Sequence, residues 1–277
     1  MSLCAFAEVR EQSLAGEWRL ENATNAAFTC AIEVPGGVHS ALLKAGLMKD
    51  PYWGRNEIDA QWVAKEAWRV ERSFDVSPEL LARRAVILRL EDCDTFCTVY
   101  VNGHEVGQTS NRFARWDFDV KKFLRPGKNT ICGVFDSAWL IADEKAKTQS
   151  GKCHMSNVPW AKNQALIRKP ACHAGWDWGP AQMIAGFCGT VKLIGSDGDR
   201  IDYIYTDQKW RDDLKYCTLT VTAEIEDGSR ETRTIEIPIR RSGGRTAREN
   251  IRFIPIPWKF AARSSRAASG SGNLKSI

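Results

Sequence analysis

The chain of 277 residues is long enough to bury a substantial core, in one large domain plus part of another. Its apolar and charged fractions are those of an ordinary globular protein, and no segment approaches the ~20 apolar residues of a membrane span. Residues 240–277 hold seven arginines and two lysines against one glutamate, which accounts for the net charge of +5. Because the rest of the chain is close to neutral, neither a nucleic acid nor a membrane is expected as a partner.

Nine cysteines occur at irregular positions, and the N-terminal residues lack the apolar length of a signal peptide. In a chain of this length, such a pattern is typical of reduced thiols that are buried as small apolar side chains. The sequence therefore predicts a cytoplasmic protein. Cys93 and Cys97 fall in a strand pattern, where four residues separate two side chains by ~13 Å, so both are expected to be inert core thiols.

Apolar alternation at period two runs through most of the chain and predicts β-strands. Strand patterns fall at residues 16–20, 28–34, 67–76, 85–90, 95–101, 113–120, 130–135 and 186–195, with a short helical pattern over 39–48. Asn102-Gly103 favours a hairpin turn. Three later patterns, at 201–206, 217–225 and 233–238, are too few to close a sandwich of their own. The Ser-, Gly- and Arg-rich residues 240–277 are predicted to be disordered.

Residues 168–180, with the sequence RKPACHAGWDWGP, show neither helical nor strand periodicity and predict an ordered loop. In this segment Asp177 lies between Trp176 and Trp178. Aromatic faces stack on the C–H side of a pyranose, and a carboxylate accepts hydrogen bonds from two adjacent hydroxyls, so the triplet suits a sugar pocket. On the residues alone an alternative stays open, in which both tryptophans pack in the core and Asp177 is a turn residue.

No other motif in the sequence indicates a catalytic or metal-binding site. The sequence contains no GxSxG, P-loop or GxGxxG motif. Cys153-His154 and Cys172-His173 lack the CxxC spacing that lets two ligands converge, so neither a metal nor another cofactor is predicted.

Glycosidic cleavage needs two carboxylates, roughly 5–5.5 Å apart for a retaining mechanism. Glu57, Asp94 and Asp177 are the acids in aromatic company, but nothing in the sequence brings two of them together. The alternatives are a surface acid for Glu57 and a strand-turn acid for Asp94.

Several long segments resemble the N-terminal region of β-mannosidases. They are PGGVHSALLKAGLMKDPYWGRNE, VNGHEVGQTSNRFARWDFDV, LRPGKNTI and RKPACHAGWDWGP, together with Trp62 and Trp68. Those enzymes belong to the glycoside hydrolase family that also contains β-galactosidases and β-glucuronidases. The resemblance covers about residues 14–225, and its WDWGP segment points to the mannosidase branch.

The resemblance implies an all-β fold, with a galactose-binding-like jelly-roll sandwich followed by the incomplete start of an immunoglobulin-like β-sandwich. The implied domains are an N-terminal extension (1–13), the sugar-binding-like jelly roll (14–197), the start of the immunoglobulin-like sandwich (198–239) and the basic tail (240–277). In such enzymes a C-terminal (β/α)8 barrel follows and carries both catalytic glutamates.

The resemblance also implies a function, the retaining hydrolysis of terminal β-D-mannose from β-mannosides or manno-oligosaccharides. Trp176 and Asp177 would line the pocket for that mannose, with Arg168, Lys169 and Trp178 as candidate support.

No barrel sequence follows residue 225. The Asn56-Glu57 pair is therefore not the acid/base pair of the family, no residue of this chain is predicted to be catalytic, and no turnover is expected from the chain alone. Two alternatives are a free-standing carbohydrate-binding module and a non-functional truncated remnant.

Overall fold

The computed structural model describes residues 9–148, 163–198, 200–210, 212, 217–226, 234–240 and 246–252. The chain divides into two compact units: a first unit of residues 10–195, and a second unit of residues 1–9 and 196–277. The first unit is a β-sandwich, as the alternating patterns and the resemblance predict.

The first unit contains strands joined by loops and by helices of one to three turns. In chain order its strands are β1 (Val9–Ser13), β2 (Gly16–Asn22), β3 (Thr29–Val34), β4 (Trp68–Val76), β5 (Ala85–Leu90), β6 (Cys93–Asp94), β7 (Cys97–Val101), β8 (His104–Thr109), β9 (Trp116–Asp119), β10 (Gly127–Phe135), β11 (Gly186–Phe187) and β12 (Val191–Ser196). Its α-helices are α1 (Val38–Lys44), α2 (Asn56–Asp59), α3 (Pro78–Leu81) and α4 (Ala138–Thr148). Single 3-10 turns cover Ala60–Lys65, Lys121–Phe123, Gln164–Leu166 and Ala171–Ala174.

Two sheets form the layers of the sandwich, one with the strand order β3–β2–β4–β10–β7–β8 and one with the order β1–β12–β5–β9. The short strands β6 and β11 pair separately. Residues 9–13, which the sequence assigned to an N-terminal extension, instead form the edge strand β1. This strand lies beside β12, so both ends of the first unit meet at one edge, where the Leu14 N–H donates to the Val191 carbonyl over 2.9 Å.

The inner faces of the two sheets form the core. Leu20, Val70 and Val99 of the larger sheet belong to one buried cluster with Leu88 and Leu193 of the smaller sheet. Complete burial of such a side chain contributes about 1.5–3 kcal/mol, which is why period-two patterns fold as a sandwich here.

An aromatic group lies at the centre of this core. Phe187 is fully buried, with ring centroids 5.3 Å from Trp18 and 5.0 Å from Phe135. It belongs to β11, so the short β6–β11 pair is fixed to the core through its ring.

Strand β11 lies unusually close to the backbone of residues 36–38. Gly186 has φ = 144°, and a Cβ atom built on it would lie 2.6 Å from the Gly36 carbonyl oxygen. The Gly36 N–H donates to the Phe187 carbonyl, and the Val38 N–H to the Ala185 carbonyl, each over 2.8 Å. Only glycine suits position 186, because both the backbone angle and the space exclude a side chain.

The cysteine pair differs from its prediction. Cys93 ends up in β6 and Cys97 in β7, and both are buried. They do not share one extended strand, because residues 95 and 96 connect two strands, so the separation of ~13 Å that assumes a single strand does not apply. Burial raises the pKa of the Cys97 thiol, and the neighbouring Cys93 raises it further, which keeps it protonated.

Among the described residues of the second unit, two antiparallel strand pairs are found. Its strands are β13 (Arg200–Trp210), β14 (Cys217–Glu226), β15 (Thr234–Arg240) and β16 (Thr246–Arg252); β13 pairs with β14, and β15 with β16. The last strand lies in the segment that the sequence predicts to be disordered. The rest of the predicted tail, 241–245 and 253–277, lies outside the described residues. In the part of the chain that the structure describes, no helix is long and apolar enough to cross a membrane.

Candidate functional site

Residues 168–180, here called the aromatic loop, form a hydrogen-bonded, non-regular segment, as the sequence predicts. At its start, Arg168 bridges Asn111 in parallel fashion, and its carbonyl accepts from the Arg112 N–H over 3.0 Å. A 3-10 turn over Ala171–Ala174 follows, and then Gly175 with φ = 96° reverses the chain.

The tip of the aromatic loop is a tight turn, Trp176–Gly179. Each of its end residues donates its backbone N–H to the carbonyl of the other, over 3.1 and 3.2 Å. Trp176 is 54% exposed and Trp178 is 74% exposed, and Asp177 between them is exposed as well. The alternative in which both tryptophans pack in the core is therefore wrong. The tip presents two aromatic surfaces and a solvated carboxylate, groups that can stack on a sugar and accept its hydroxyl protons.

Lys169, predicted as support for the pocket, faces inward instead. Its side chain is completely buried, and Nζ lies 2.5 Å from Asp94 Oδ1. The same ammonium donates to the Ile184 carbonyl and lies 3.5 Å from Thr95 Oγ1. Three acceptors thus match its three protons, and Lys169 has no proton left to offer a ligand at the tip. Arg168 is exposed.

Asp94 is the centre of a buried charge cluster. No part of it is exposed, and in addition to Lys169 its carboxylate contacts Arg112 Nη1 at 3.0 Å and His173 Nδ1 at 3.4 Å. Burial opposes the charged form, but the His173 ring and the Lys169 ammonium outweigh it and lower the pKa of Asp94 to about 2. Asp94 therefore stays ionised at neutral pH and has no proton to donate as a general acid. It is neither a pocket acid nor a strand-turn acid but the counter-ion of buried Lys169 and half-buried Arg112.

The neighbours of His173 fix its protonation. Arg112 Nη1 lies 3.1 Å from His173 Nε2, and because arginine only donates, Nε2 must accept. The ring proton is thereby assigned to Nδ1, which faces Asp94. Burial and the charge of Lys169 lower the pKa of His173 and favour this neutral form.

His39, in the first turn of α1, packs against the same cluster. It is 4% exposed, and among the described residues its Nδ1 has no hydrogen-bond partner. Burial, with the charge of Lys169 and the His173 ring, lowers the pKa of His39 to about 4. A small cavity lined by His39, Asp94 and Ser137, among others, adjoins it.

Glu57 is a structural anchor for the exit of the aromatic loop. It is half-buried, and its Oε1 accepts from the Ala181 N–H over 2.7 Å, while Gln61 Nε2 donates to the Ala181 carbonyl over 2.9 Å. The segment that carries Glu57 also presents Tyr52 and Trp53, which are 77% and 78% exposed. This acid is therefore not the free surface acid that the sequence allowed.

No metal centre is found within the described residues, where no three His, Cys, Asp or Glu side chains could hold an ion together. His173 is engaged with Arg112 and Asp94, and Cys172 is a free thiol. Cys153-His154 lies outside the described residues.

The first unit is thus a two-layer β-sandwich whose ordered loop exposes an aromatic–acid–aromatic tip, the architecture of galactose-binding-like domains. The family model "Glycosyl hydrolase 2 galactose-binding domain-like" matches residues 18–189, and the chain belongs to this family.

Similar proteins include β-mannosidases. The β-mannosidase of Capra hircus is 30% identical over 200 residues, which are 67% of this chain and 22% of the relative. The β-mannosidase B of Aspergillus clavatus is 30% identical over 219 residues, or 79% of this chain and 26% of the relative. The crystal structure of β-D-mannosidase from Dictyoglomus thermophilum superposes with a TM-score of 0.73 at 30% identity, covering 89% of this chain and 30% of that one. The chain therefore spans about a quarter of the length of its curated relatives.

A β-glucuronidase from an uncultured Clostridium sp. superposes with a TM-score of 0.54 at 16% identity. That likeness shows the fold alone.

Proposed function

We propose that this chain contributes the mannose-binding loop of a β-mannosidase, a retaining glycoside hydrolase that removes terminal β-D-mannose from β-mannosides or manno-oligosaccharides. The observation that carries the proposal is the exposed tip, in which Asp177 lies between two accessible tryptophans on a loop held by buried charges. Membership of the glycosyl hydrolase 2 family and similarity to β-mannosidases support the substrate class.

Within this proposal each residue of the aromatic loop has a distinct role. Asp177 accepts hydrogen bonds from two adjacent mannose hydroxyls, and Trp176 forms the wall on which the sugar ring packs. Trp178 and Arg168 are exposed and can support the rim of the pocket. Lys169 can support it only from behind, because its ammonium is buried against Asp94.

We further propose that these residues alone do not hydrolyse a mannoside. Retaining chemistry needs one carboxylate as nucleophile and another as acid/base, roughly 5–5.5 Å apart. Of the three acids in aromatic company, Asp94 is buried in ion pairs and Glu57 accepts from a backbone amide. Of these three acids only Asp177 is free to contact a substrate, so the catalytic pair would belong to a (β/α)8 barrel. The second unit would be the beginning of an immunoglobulin-like sandwich that follows the first unit in sequence and precedes this barrel.

A cytoplasmic location is part of the same proposal. It is supported by the cysteines of the described residues, six of which are free thiols.

The test combines ligand binding and hydrolysis by the purified chain. Saturation-transfer NMR with methyl β-D-mannoside is expected to detect weak binding that Trp176→Ala and Asp177→Ala each abolish. Trp210→Ala is the matched control, because Trp210 is 53% exposed, as Trp176 is, but lies in the second unit. Equal binding by Asp177→Ala and the unaltered chain would contradict the proposed role of the tip.

Hydrolysis of a chromogenic β-mannoside is measured on the same samples, with circular dichroism to establish that they are folded. No turnover is expected. Turnover that Asp177→Ala abolishes would mean that a catalytic pair is present within these residues, and would overturn the assignment of catalysis to another domain.

The free exposure of both tip tryptophans also favours a second candidate, a carbohydrate-binding module that binds glycans without cleaving them. The two candidates differ in the affinity that they predict for longer glycans. A module should bind a manno-oligosaccharide much more tightly than methyl β-D-mannoside, because successive sugars occupy successive aromatic surfaces. Similar weak binding of both ligands favours the single mannose site.

A further inference from the structure

The geometry points to Asp94 and Lys169 as positioning residues for the sugar-binding tip. Neither side chain reaches solvent, so neither touches a ligand, yet both determine where Trp176 and Asp177 lie. The inference rests on the function proposed above for the tip. It states that sugar binding by the tip depends on this buried ion pair.

Lys169 closes the base of the aromatic loop. It precedes the tip, whereas Ile184 follows it, and the Lys169 ammonium donates to the Ile184 carbonyl. The same ammonium pairs with Asp94 Oδ1 at 2.5 Å. The entry and the exit of the loop therefore meet at one nitrogen atom, which closes the segment of residues 169–184 into a ring.

Asp94 connects that ring to the core. It lies in β6, which pairs with β11, and Gly186 is its partner in the register. The next residue of β11, Phe187, is fully buried between Trp18 and Phe135. The base of the loop is thus attached to the buried aromatic core of the sandwich.

A third attachment holds the middle of the loop. Arg112 makes this attachment, because its Nη1 lies 3.0 Å from Asp94 Oδ2 and 3.1 Å from His173 Nε2. His173 Nδ1 itself lies 3.4 Å from Asp94 Oδ2 without forming a hydrogen bond. The entry, the middle and the exit of the loop are thus all connected to Asp94 through Lys169 or Arg112. The tip itself adds the two backbone hydrogen bonds of its turn, so its position follows from that of the base.

An ion pair is a poor way to gain stability here, since the cost of burying two charges offsets most of their attraction. The advantage of the ion pair is geometric. Its hydrogen-bond donors and acceptors are satisfied in one arrangement, whereas apolar side chains can pack in many. A neutral pair of similar volume should therefore keep the domain folded but lose the fixed position of the tip.

The experiment uses the full chain labelled with 5-fluorotryptophan and observed by ¹⁹F NMR. The signals of Trp176 and Trp178 are assigned by Trp→Phe substitution, and those of buried Trp18 and Trp68 report on the core. In the double variant Asp94→Asn/Lys169→Met, we expect both tip signals to shift or broaden while both core signals keep their positions. Saturation transfer to methyl β-D-mannoside should fall severalfold.

Another ion pair provides the matched control. Arg89 is 8% exposed, and its Nη2 lies 2.6 Å from Asp117 Oδ2 on the β5–β9 pair. The variant Arg89→Met/Asp117→Asn removes an ion pair of similar type, and it should leave the tip signals and mannoside binding unchanged.

Unshifted tip signals in the Asp94→Asn/Lys169→Met variant would overturn the inference, and so would loss of its core signals, since the pair would then act on stability. Arg112→Gln provides a second test that leaves the Asp94–Lys169 pair in place. It removes the contact to His173, so it should also shift the Trp176 signal with the core signals unmoved, and an unshifted signal overturns the attachment of the middle of the loop to Asp94. If the unaltered chain binds no mannoside but the tip signals respond as expected, the positioning role stands and the proposed function fails.

Discussion

Acidification should destabilise the first unit through His39, in a pH range set by its buried position. Burial lowers the folded-state pKa of His39 to about 4, whereas an exposed histidine in the unfolded chain has a pKa of about 6.5. Between these values the unfolded state binds more protons than the folded state. The free energy of unfolding is therefore highest above pH of about 6.5 and falls as the pH decreases towards about 4.

The size of the effect follows from the two pKa values. Proton linkage at His39 removes about 1.5 kcal/mol at pH of about 5.5 and about 2.5 kcal/mol at pH of about 4.5. His173 also has a lowered pKa and adds a loss in the same direction. Asp94 titrates lower, from its ordinary value towards about 2, so its contribution is lost only below this range.

Urea unfolding followed by tryptophan fluorescence at pH of about 7, 5.5 and 4.5 measures the effect. His39→Asn removes the titrating group, and its free energy of unfolding should depend less steeply on pH than that of the unaltered chain. His104 is exposed and stacks on Phe123, so His104→Asn is the matched control and should retain the full dependence. Equal pH dependence in His39→Asn and the unaltered chain would refute the assignment.

Two further predictions concern the core and the β6–β11 pair, both measured by urea unfolding. Phe187→Ala should lower the free energy of unfolding by about 3–5 kcal/mol, because it leaves a cavity between two aromatic rings, whereas Phe113→Ala, at a position 63% exposed, should change it by less than about 0.5 kcal/mol. Similar values for the two variants would contradict the central role of Phe187. Gly186→Ala should cost about 2–3 kcal/mol through the clash with the Gly36 carbonyl, whereas Gly127→Ala, with φ = 75° and open space, should cost about 1 kcal/mol. Equal losses would mean that the backbone angle, and not the close approach, limits position 186.

The strands of the sandwich could be predicted where one face of a strand is buried. In β4, for example, Trp68, Val70, Phe74 and Val76 are buried at alternate positions, and the sequence shows this alternation directly. The hairpin at Asn102-Gly103 could also be predicted, because this dipeptide favours a turn in which both residues have positive φ, and both do in the structure.

Elements without such a face could not be predicted. The strand β1 reads VREQS, and most of its residues are exposed because it lies at a sheet edge. The strand β16 reads TARENIR and is just as polar, so its composition indicated disorder. In both cases the strand forms through backbone pairing with a neighbouring strand, and the pattern of its side chains does not indicate a strand.

The aromatic loop could be singled out from sequence, but its support could not. Trp176, Asp177 and Trp178 are adjacent and unusual in composition. The partner that holds them in place, Asp94, is 75 residues from Lys169 along the chain, and only the fold brings the two together. The one local signal was Lys169 itself, a basic residue near the start of the loop, which was predicted to support the pocket and instead forms a buried ion pair.

The neighbouring positions of β1 and β12 have a practical consequence. Because the first and last strands of the sandwich lie side by side, a short linker could join them, and new termini could then be opened in the exposed turn of residues 125–128. The order of the chain could be permuted in this way without moving the aromatic loop. The sandwich is therefore suited to insertion into another protein as a cassette that carries the tip on its surface.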